Sequence, residues 1–283
     1  MVKELKYISL SNLSIIMPNR PYVIFIASQK GGVGKTTVAV NLGTALRYRE
    51  YQVLLIDTDV ATYSISSHLG LKDAENDYSK AINGKIDVKE AIFSYEPLDL
   101  NLILGNQEAE EIEENADKIN RFYNQVLKLN YDFVLIDSHP GPFSENMAKY
   151  INDVVILTTP DVASAKSSAK LAKYCEKHRI EHRLVINRIG SSKFELETEE
   201  VERLCGDVAS VIIPEDDIVQ ESNTRHKPAY MVNKSAPFSL AIDELARIYM
   251  LKTGKPMDTE PETDRQDKKS FFQKLGGWSL GSK

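Results

Sequence analysis

The chain has 283 residues, 42% hydrophobic and 27% charged, with 35 basic against 41 acidic side chains and a net charge of -6. This balance excludes a disordered chain, a collagen-like repeat and a coiled-coil rod. It also gives the molecule as a whole no strong electrostatic reason to hold bulk nucleic acid, a local basic patch aside. The longest apolar runs fall far short of the roughly 20 residues that span a bilayer. The two cysteines, Cys175 and Cys205, supply neither a disulfide framework nor a four-thiolate zinc site, and the chain reads as cytosolic.

In chain order, residues 1–20 mix a short apolar stretch with polar residues and lack the long core and cleavage site of a secretory signal. Two readings of this extension stand side by side: Met17 as an alternative start, or an extra strand or docking arm. From Tyr22 onward the pattern becomes regular. Short β-branched apolar runs at 23–27, 53–57, 100–104, 133–137, 154–158, 184–187 and 208–213 suit strands covered on both faces. Between them, 36–48, 108–129, 164–178, 195–204 and 239–251 are long enough for helices. The alternation predicts a single α/β domain over 21–252, a doubly wound, mostly parallel sheet with helices on both faces. Residues 253–267 carry Pro256, Pro261 and five acids with almost nothing to bury, and read as a linker. The final segment, 268–283, recovers two Phe, Trp278 and two Leu beside four Lys and no acid.

The segment Ser28-Gln-Lys-Gly-Gly-Val-Gly-Lys-Thr-Thr37 follows the first predicted strand and opens the first helix, the context of a phosphate loop. Gly31, Gly32 and Gly34 let the backbone turn tightly and aim N–H groups inward, toward a polyphosphate at a helix N-terminus. Lys35 reaches phosphate as a point charge, and the Thr36 hydroxyl is a candidate Mg²⁺ ligand. Val33 and Thr37 complete the loop as candidate ATP contacts.

The loop departs from the common G-x-x-x-x-G-K-[ST] pattern, with Gln29 at the first glycine position and Lys30 following it. Lys-Gly-Gly-Val-Gly-Lys-Thr resembles the deviant Walker A loop of the MinD/ParA ATPases. The resemblance implies that Lys30 crosses to a partner's nucleotide in an ATP-dependent homodimer, a charge that suits phosphoryl transfer. It assigns Asp59, in Leu54-Leu-Ile-Asp57-Thr58-Asp59, to the attacking water, and sets Asp57 near the metal. In Tyr131-Asp-Phe-Val-Leu-Ile-Asp137 it implies a Walker B strand, with Asp137 holding Mg²⁺ through water and 138–141 forming a switch loop. His139 there reads as a loop variant rather than a base. Asn187 of Asn187-Arg188 matches an adenine edge, and Pro214-Glu215 opens the segment passing beside the base. These motifs cover about residues 22 to 250.

The branches of the family differ in what the ATP dimer binds. Metal-cluster carriers are set aside because neither cysteine lies in the switch loop after Asp137 and no Cys-x-x-Cys occurs, and a tyrosine kinase because the tail lacks Tyr. On a helix of about 100° per residue, Phe271, Phe272, Leu275 and Trp278 fall within about 120°, beside Lys269 and Lys274. This stripe resembles the MinD membrane-targeting helix and implies binding to an anionic membrane surface, peripheral on the inner face of the cell membrane when ATP is bound. Packing back on its own domain, or docking on a protein, are the alternatives. Burying these side chains contributes only several kcal/mol, so one tail binds weakly, while two on a dimer gain about 10² to 10⁴-fold in avidity. The expected function is therefore a MinD-like ATPase positioning a cell-division or other assembly, released by hydrolysis. The alternatives are a ParA-like partitioning ATPase, or a placement factor whose tail binds protein. Ser167, Ser168 and Ala169 stand where acids that engage MinE are expected, so a MinE-like activator does not fit, and the activator or cargo is unidentified.

Overall fold

The computed structural model describes residues 20–59, 64–72, 74–106, 112 and 115–253. The extension before residue 20, the linker from residue 254 and the tail with Lys269, Phe271, Phe272, Lys274, Leu275 and Trp278 lie outside them.

Eight strands form one sheet: β1 (Tyr22–Ala27), β2 (Val53–Asp57), β3 (Ile92–Tyr95), β4 (Leu100–Ile103), β5 (Phe133–Asp137), β6 (Asp153–Thr158), β7 (Glu181–Ile189) and β8 (Ala209–Pro214). Their order is β3-β4-β2-β5-β1-β6-β7-β8. All pairings are parallel except that of β3 with β4, so the sheet is mostly parallel, as expected. Strand β3 is not among the seven apolar runs. It is a four-residue edge strand whose Phe93 is exposed, and such a half-covered strand lacks the continuous apolar signature of its neighbours.

Alternation along β1 divides the core. Ile24 and Ile26 pack with α1 (Lys35–Arg47) and α10 (Pro237–Thr253) on one face. Val23, Phe25 and Ala27 pack on the other, with α4 (Ala116–Val126), α6 (Val162–His178) and α7 (Thr198–Cys205). Among the described residues of the predicted helix over 108–129 the structure has α4, whose N-cap Asn115 accepts from the Lys118 N–H at 2.9 Å, and residues 108–111, 113 and 114 lie outside them. Short helices α2 (Ser64–Leu69), α3 (Tyr78–Asn83), α5 (Glu145–Ala148), α8 (Asp217–Arg225) and α9 (Ala229–Val232) fill the connections and carry too few turns to show periodicity. No described helix is long and apolar enough to cross a membrane.

Because β1 lies between β5 and β6, successive connections leave it in opposite directions and open a crevice at the carboxyl edge of the sheet. Helix α2 closes against α8 beside this edge. Gly70 approaches so closely that a Cβ there would lie 2.7 Å from His226 Cβ. His68, on α2, is partly buried, its Nε2 is enclosed without a partner among the described residues, and its pKa falls to about 4 through burial and the charge of His226. Between pH 6.5 and 4 the unfolded chain binds a proton there that the folded chain refuses, so stability drops on acidification, by about 3 kcal/mol across the window. Replacing His68 by Gln is expected to make denaturation midpoints measured from pH 7 to 4.5 fall less steeply than in the natural chain.

Candidate functional site

The loop between β1 and α1 is shaped by its glycines and tied from three sides. Gly32 and Gly34 take positive φ values of 74° and 99°, which side-chain-bearing residues adopt rarely. The Val33 side chain is buried in the α1 core. Ser28 Oγ donates to the Lys30 carbonyl and accepts from the Lys30 N–H, at 3.0 and 3.1 Å. The Gly141 N–H, in the loop after β5, donates to the Ser28 carbonyl at 3.0 Å. Among the described residues, the N–H groups of Gly31, Gly32, Val33 and Gly34 make no hydrogen bond, and they lead into the positive end of a 13-residue helix. Unspent donors at such a place suit a phosphate.

Beneath the loop, β2 and β5 bring two carboxylates together, because Asp57 and Asp137 are paired in register at the strand ends and neither is exposed. Burial pushes both pKa values up. Asp57 is raised further by the charge of Asp137, while the Thr36 hydroxyl and the Lys35 ammonium pull Asp137 partly back. Burial lowers the pKa of Lys35, and Asp137 and Asp59 oppose that shift. The two carboxylates are used differently. Asp57 accepts the N–H groups of Asp59 and Ile65, both at 3.0 Å, and so holds the segment that follows β2. Asp137 Oδ2 accepts from the Thr36 hydroxyl at 2.7 Å, while its Oδ1 is buried without a partner. Thr58 adds two bonds to the Asp137 carbonyl, from its N–H at 3.0 Å and its hydroxyl at 2.9 Å.

The orphaned Asp137 oxygen beside the Thr36 hydroxyl fits a hard cation that takes its remaining ligands from water and phosphate. No group of three or more His, Cys, Asp or Glu able to hold a metal occurs among the described residues. The reading of Asp57 as a metal contact is modified by its two backbone bonds, which give it a holding role first.

Lys30 stands on the rim. Its ammonium pairs with Asp161 at 3.1 Å, and the two side chains are 48% and 42% exposed. Asp161 also caps α6, accepting from the Ser164 N–H at 3.0 Å and from the Thr159 hydroxyl at 2.7 Å. Against the opposing effect of burial, the Thr159 and Ser164 bonds and the Lys30 ammonium hold its carboxyl below the usual range. Sequence reasoning missed Asp161: Asp before a helical run signals an N-cap, but nothing local signals pairing with a lysine 131 positions away. Thr37 gives its carbonyl to Asn41 Nδ2 at 2.8 Å. Asn187 is buried against the loop, Nδ2 donating to the Val33 carbonyl at 2.7 Å, Arg188 and Glu215 beyond it face each other at 3.8 Å, and the Glu215 N–H donates to the Ile189 carbonyl, closing the end of β8 at Pro214.

A doubly wound sheet with a glycine loop at its switch point and paired strand-end carboxylates below defines a P-loop nucleotide-binding protein. The CobQ/CobB/MinD/ParA nucleotide-binding domain family matches residues 24–229, and the chain belongs to that family. It is 28% identical over 236 residues to the septum site-determining protein MinD of Bacillus subtilis, covering 79% of this chain and 87% of that one. It is 27% identical over 261 residues to an uncharacterized ATP-binding protein of Methanocaldococcus jannaschii, covering 89% and 96%. Among solved structures, MinD in the MinC:MinD cell division complex of Aquifex aeolicus superposes with a TM-score of 0.71 at 27% identity, covering 85% of this chain and 98% of that one. MinD of Pyrococcus horikoshii complexed with Mg-ADP shares the fold, with a TM-score of 0.74 at 24% identity over 83% and 98% of the two chains.

If Asp137 is kept for a cation, removing its charge separates stability from binding. Asp137→Asn is expected to stabilise the nucleotide-free protein at pH 8 by about 1 kcal/mol or more, since a buried carboxylate no longer has to ionise. The same change should remove most of the gain in nucleotide affinity that Mg²⁺ confers, read by calorimetric titration with and without the metal.

Proposed function

We propose that this chain is an ATP-hydrolysing switch of the MinD kind. The observation that carries the reading is Lys30, a second loop lysine on the open rim of the crevice rather than inside it. A half-exposed pair such as Lys30 with Asp161 contributes little, about 0–1 kcal/mol, so the lysine is easily transferred to a stronger anion. The phosphates of a nucleotide held by a second copy of the chain are such an anion.

In this reading the free N–H groups of 31–34 and the Lys35 ammonium hold the β and γ phosphates. Thr36 and Asp137 hold Mg²⁺, which when bound neutralises charge on the phosphate oxygens. Asp59 is almost buried, with its N–H fixed on Asp57, and its carboxylate orients the attacking water. Asn187, Arg188, Pro214 and Glu215 form the wall toward the base. ATP closes the homodimer, the paired tails at 268–283 bind anionic membrane by avidity, and hydrolysis separates the copies. The Aquifex MinD is seen with MinC, and a protein cargo or activator is the corresponding partner here.

Co-sedimentation with anionic liposomes tests this with the full chain, a chain ending at Asp267, and Lys30→Ala, each with ATP and ADP. The full chain is expected in the pellet with ATP alone and both variants in the supernatant; a full chain that stays soluble with either nucleotide sinks the membrane reading.

One observation favours a second, ParA-like reading. Lys166, Lys170, Lys173 and Lys177 are all exposed on α6 and fall within about 60° of one another, a basic stripe about 17 Å long. Only Lys177 has a carboxylate partner among the described residues, Glu145 at 3.2 Å. If the stripe holds DNA, anisotropy titrations of a duplex will show ATP-dependent, salt-sensitive binding that survives loss of the tail and is lost in Lys170→Glu/Lys173→Glu.

A further inference from the structure

We infer that Asn187 is a positioning residue for the phosphate loop, clamping its backbone through the Val33 carbonyl. This rests on the reading of 28–37 as a phosphate site and extends it, because the side chain expected to read the base is found holding the loop.

Strand alternation puts Asn187 where it can do so. Val185 faces the α1 side of the sheet, Leu184 and Ile186 face the other, and Asn187 therefore follows Val185 onto the α1 side, just beyond the last core residue. The ladder then breaks. Arg188 has a φ of 66°, and the register between β7 and β8 slips between Asn187 and Ile189. A non-glycine residue in this region costs free energy and persists where the surroundings enforce it. The irregularity falls one residue after Asn187, which stays paired with Ile213, while the ladder resumes at Ile189 with Pro214, so Asn187 sits at the last regular position of β7 before the chain bends.

The contact is close and chemically specific. Asn187 is 4% exposed, and Nδ2 donates to the Val33 carbonyl at 2.7 Å. The loop is built around this approach: a Cβ at Gly34 would lie 2.4 Å from Nδ2, where real Cβ atoms are not found. Glycine at 34 is thus required twice, by its φ of 99° and by the amide beside it. Of the side chains near this size, Asp has no donor, Ser is too short, and Leu leaves the carbonyl unpaired. The amide has a second hydrogen and an oxygen besides, so one side chain can face a base and hold the phosphate loop together. The clamp keeps the free N–H groups of 31–34 directed inward before any phosphate arrives, which lowers the ordering cost of binding.

Two measurements on the full chain test this, in the natural protein, Asn187→Ala and the near-isosteric Asn187→Asp. The first is hydrogen–deuterium exchange without nucleotide. In both variants the hydrogen-bonded amides at the two ends of the loop, Lys30 on Ser28 Oγ and Val38 on the Gly34 carbonyl, are expected to exchange about tenfold faster, while β1 and β5 keep their protection. The second is calorimetric titration with Mg-ATP and with Mg-tripolyphosphate, which has no base. A clamp predicts that Asn187→Ala weakens both ligands by a similar factor, about tenfold. Unchanged tripolyphosphate binding with weakened ATP would leave Asn187 a base reader only and overturn the proposal. Natural-rate exchange of the loop in Asn187→Asp would overturn it too, as would protection lost evenly through β1 and β5 in both variants. If the natural protein binds neither ligand, the phosphate-site reading fails, and the exchange data still decide the clamp.

Discussion

The constraint on which the site depends is the burial of two carboxylates side by side. Parallel pairing of β2 with β5 sets Asp57 opposite Asp137 with no exposure of either. Two adjacent ionised groups out of water cost several kcal/mol unless each finds compensation. Asp57 finds it in two backbone N–H groups, and so the segment leaving β2 is tied to the floor of the crevice. Asp137 is compensated only in part, by Thr36 and the lowered-pKa Lys35, and keeps one unpartnered oxygen. The fold thus contains an electrostatic deficit whose natural remedy is a cation together with the polyanion that the loop above can hold. An apolar replacement would make a more stable sheet and no site.

The second organising feature is the contrast between deep and shallow charges. Lys35 is buried and committed to the floor, whereas Lys30, five residues earlier, is paired at the surface through a carboxylate that already serves as a helix cap. Asp161 loses little when Lys30 leaves, because the Ser164 and Thr159 bonds remain. The resting contact is therefore reversible. A charge that acts between copies of the chain has to be held loosely enough to exchange and near enough to the phosphates to matter, and a rim position gives both.

Much of this was legible in the sequence because the apolar runs and the loop are local signals. All seven runs are strands, and the glycine–lysine–threonine segment lies at the switch point where strand–helix alternation puts it. What was not legible depends on contacts between distant residues. The short edge strand β3 exists because β4 offers it a ladder, since Ile92-Phe-Ser-Tyr95 has too weak a pattern of its own. The partner of Lys30 lies on another element. The meeting of Asn187 with Val33 spans 154 positions and falls just before an irregularity in β7 that no propensity announces. The division of labour between Asp57 and Asp137 likewise follows from which backbone N–H groups the tertiary fold delivers to each carboxylate.

The connection from this site to the end of the described chain bears on how a switch of this kind would work. The loop helix is braced against the C-terminal helix. Asn41 Nδ2 donates to the Thr37 carbonyl, its Oδ1 accepts from the Tyr230 N–H at 2.8 Å, and Tyr230 donates its hydroxyl to Asp243 on α10 at 2.8 Å. Arg49 pairs with the same carboxylate and donates to the Tyr230 hydroxyl at 3.0 Å. Burial raises the Tyr230 pKa to about 12, with the Asp243 charge adding to it, so the phenol stays a donor at any physiological pH. Removing one member would strand a buried charge, which makes the brace rigid rather than adjustable. Helix α10 therefore moves with α1 as one body. A nucleotide need not drive a change through this body to act on the linker and tail beyond α10. In the proposed homodimer, bringing two rigid copies together would be sufficient, because avidity depends on the number of linked tails and not on a rearrangement within either copy.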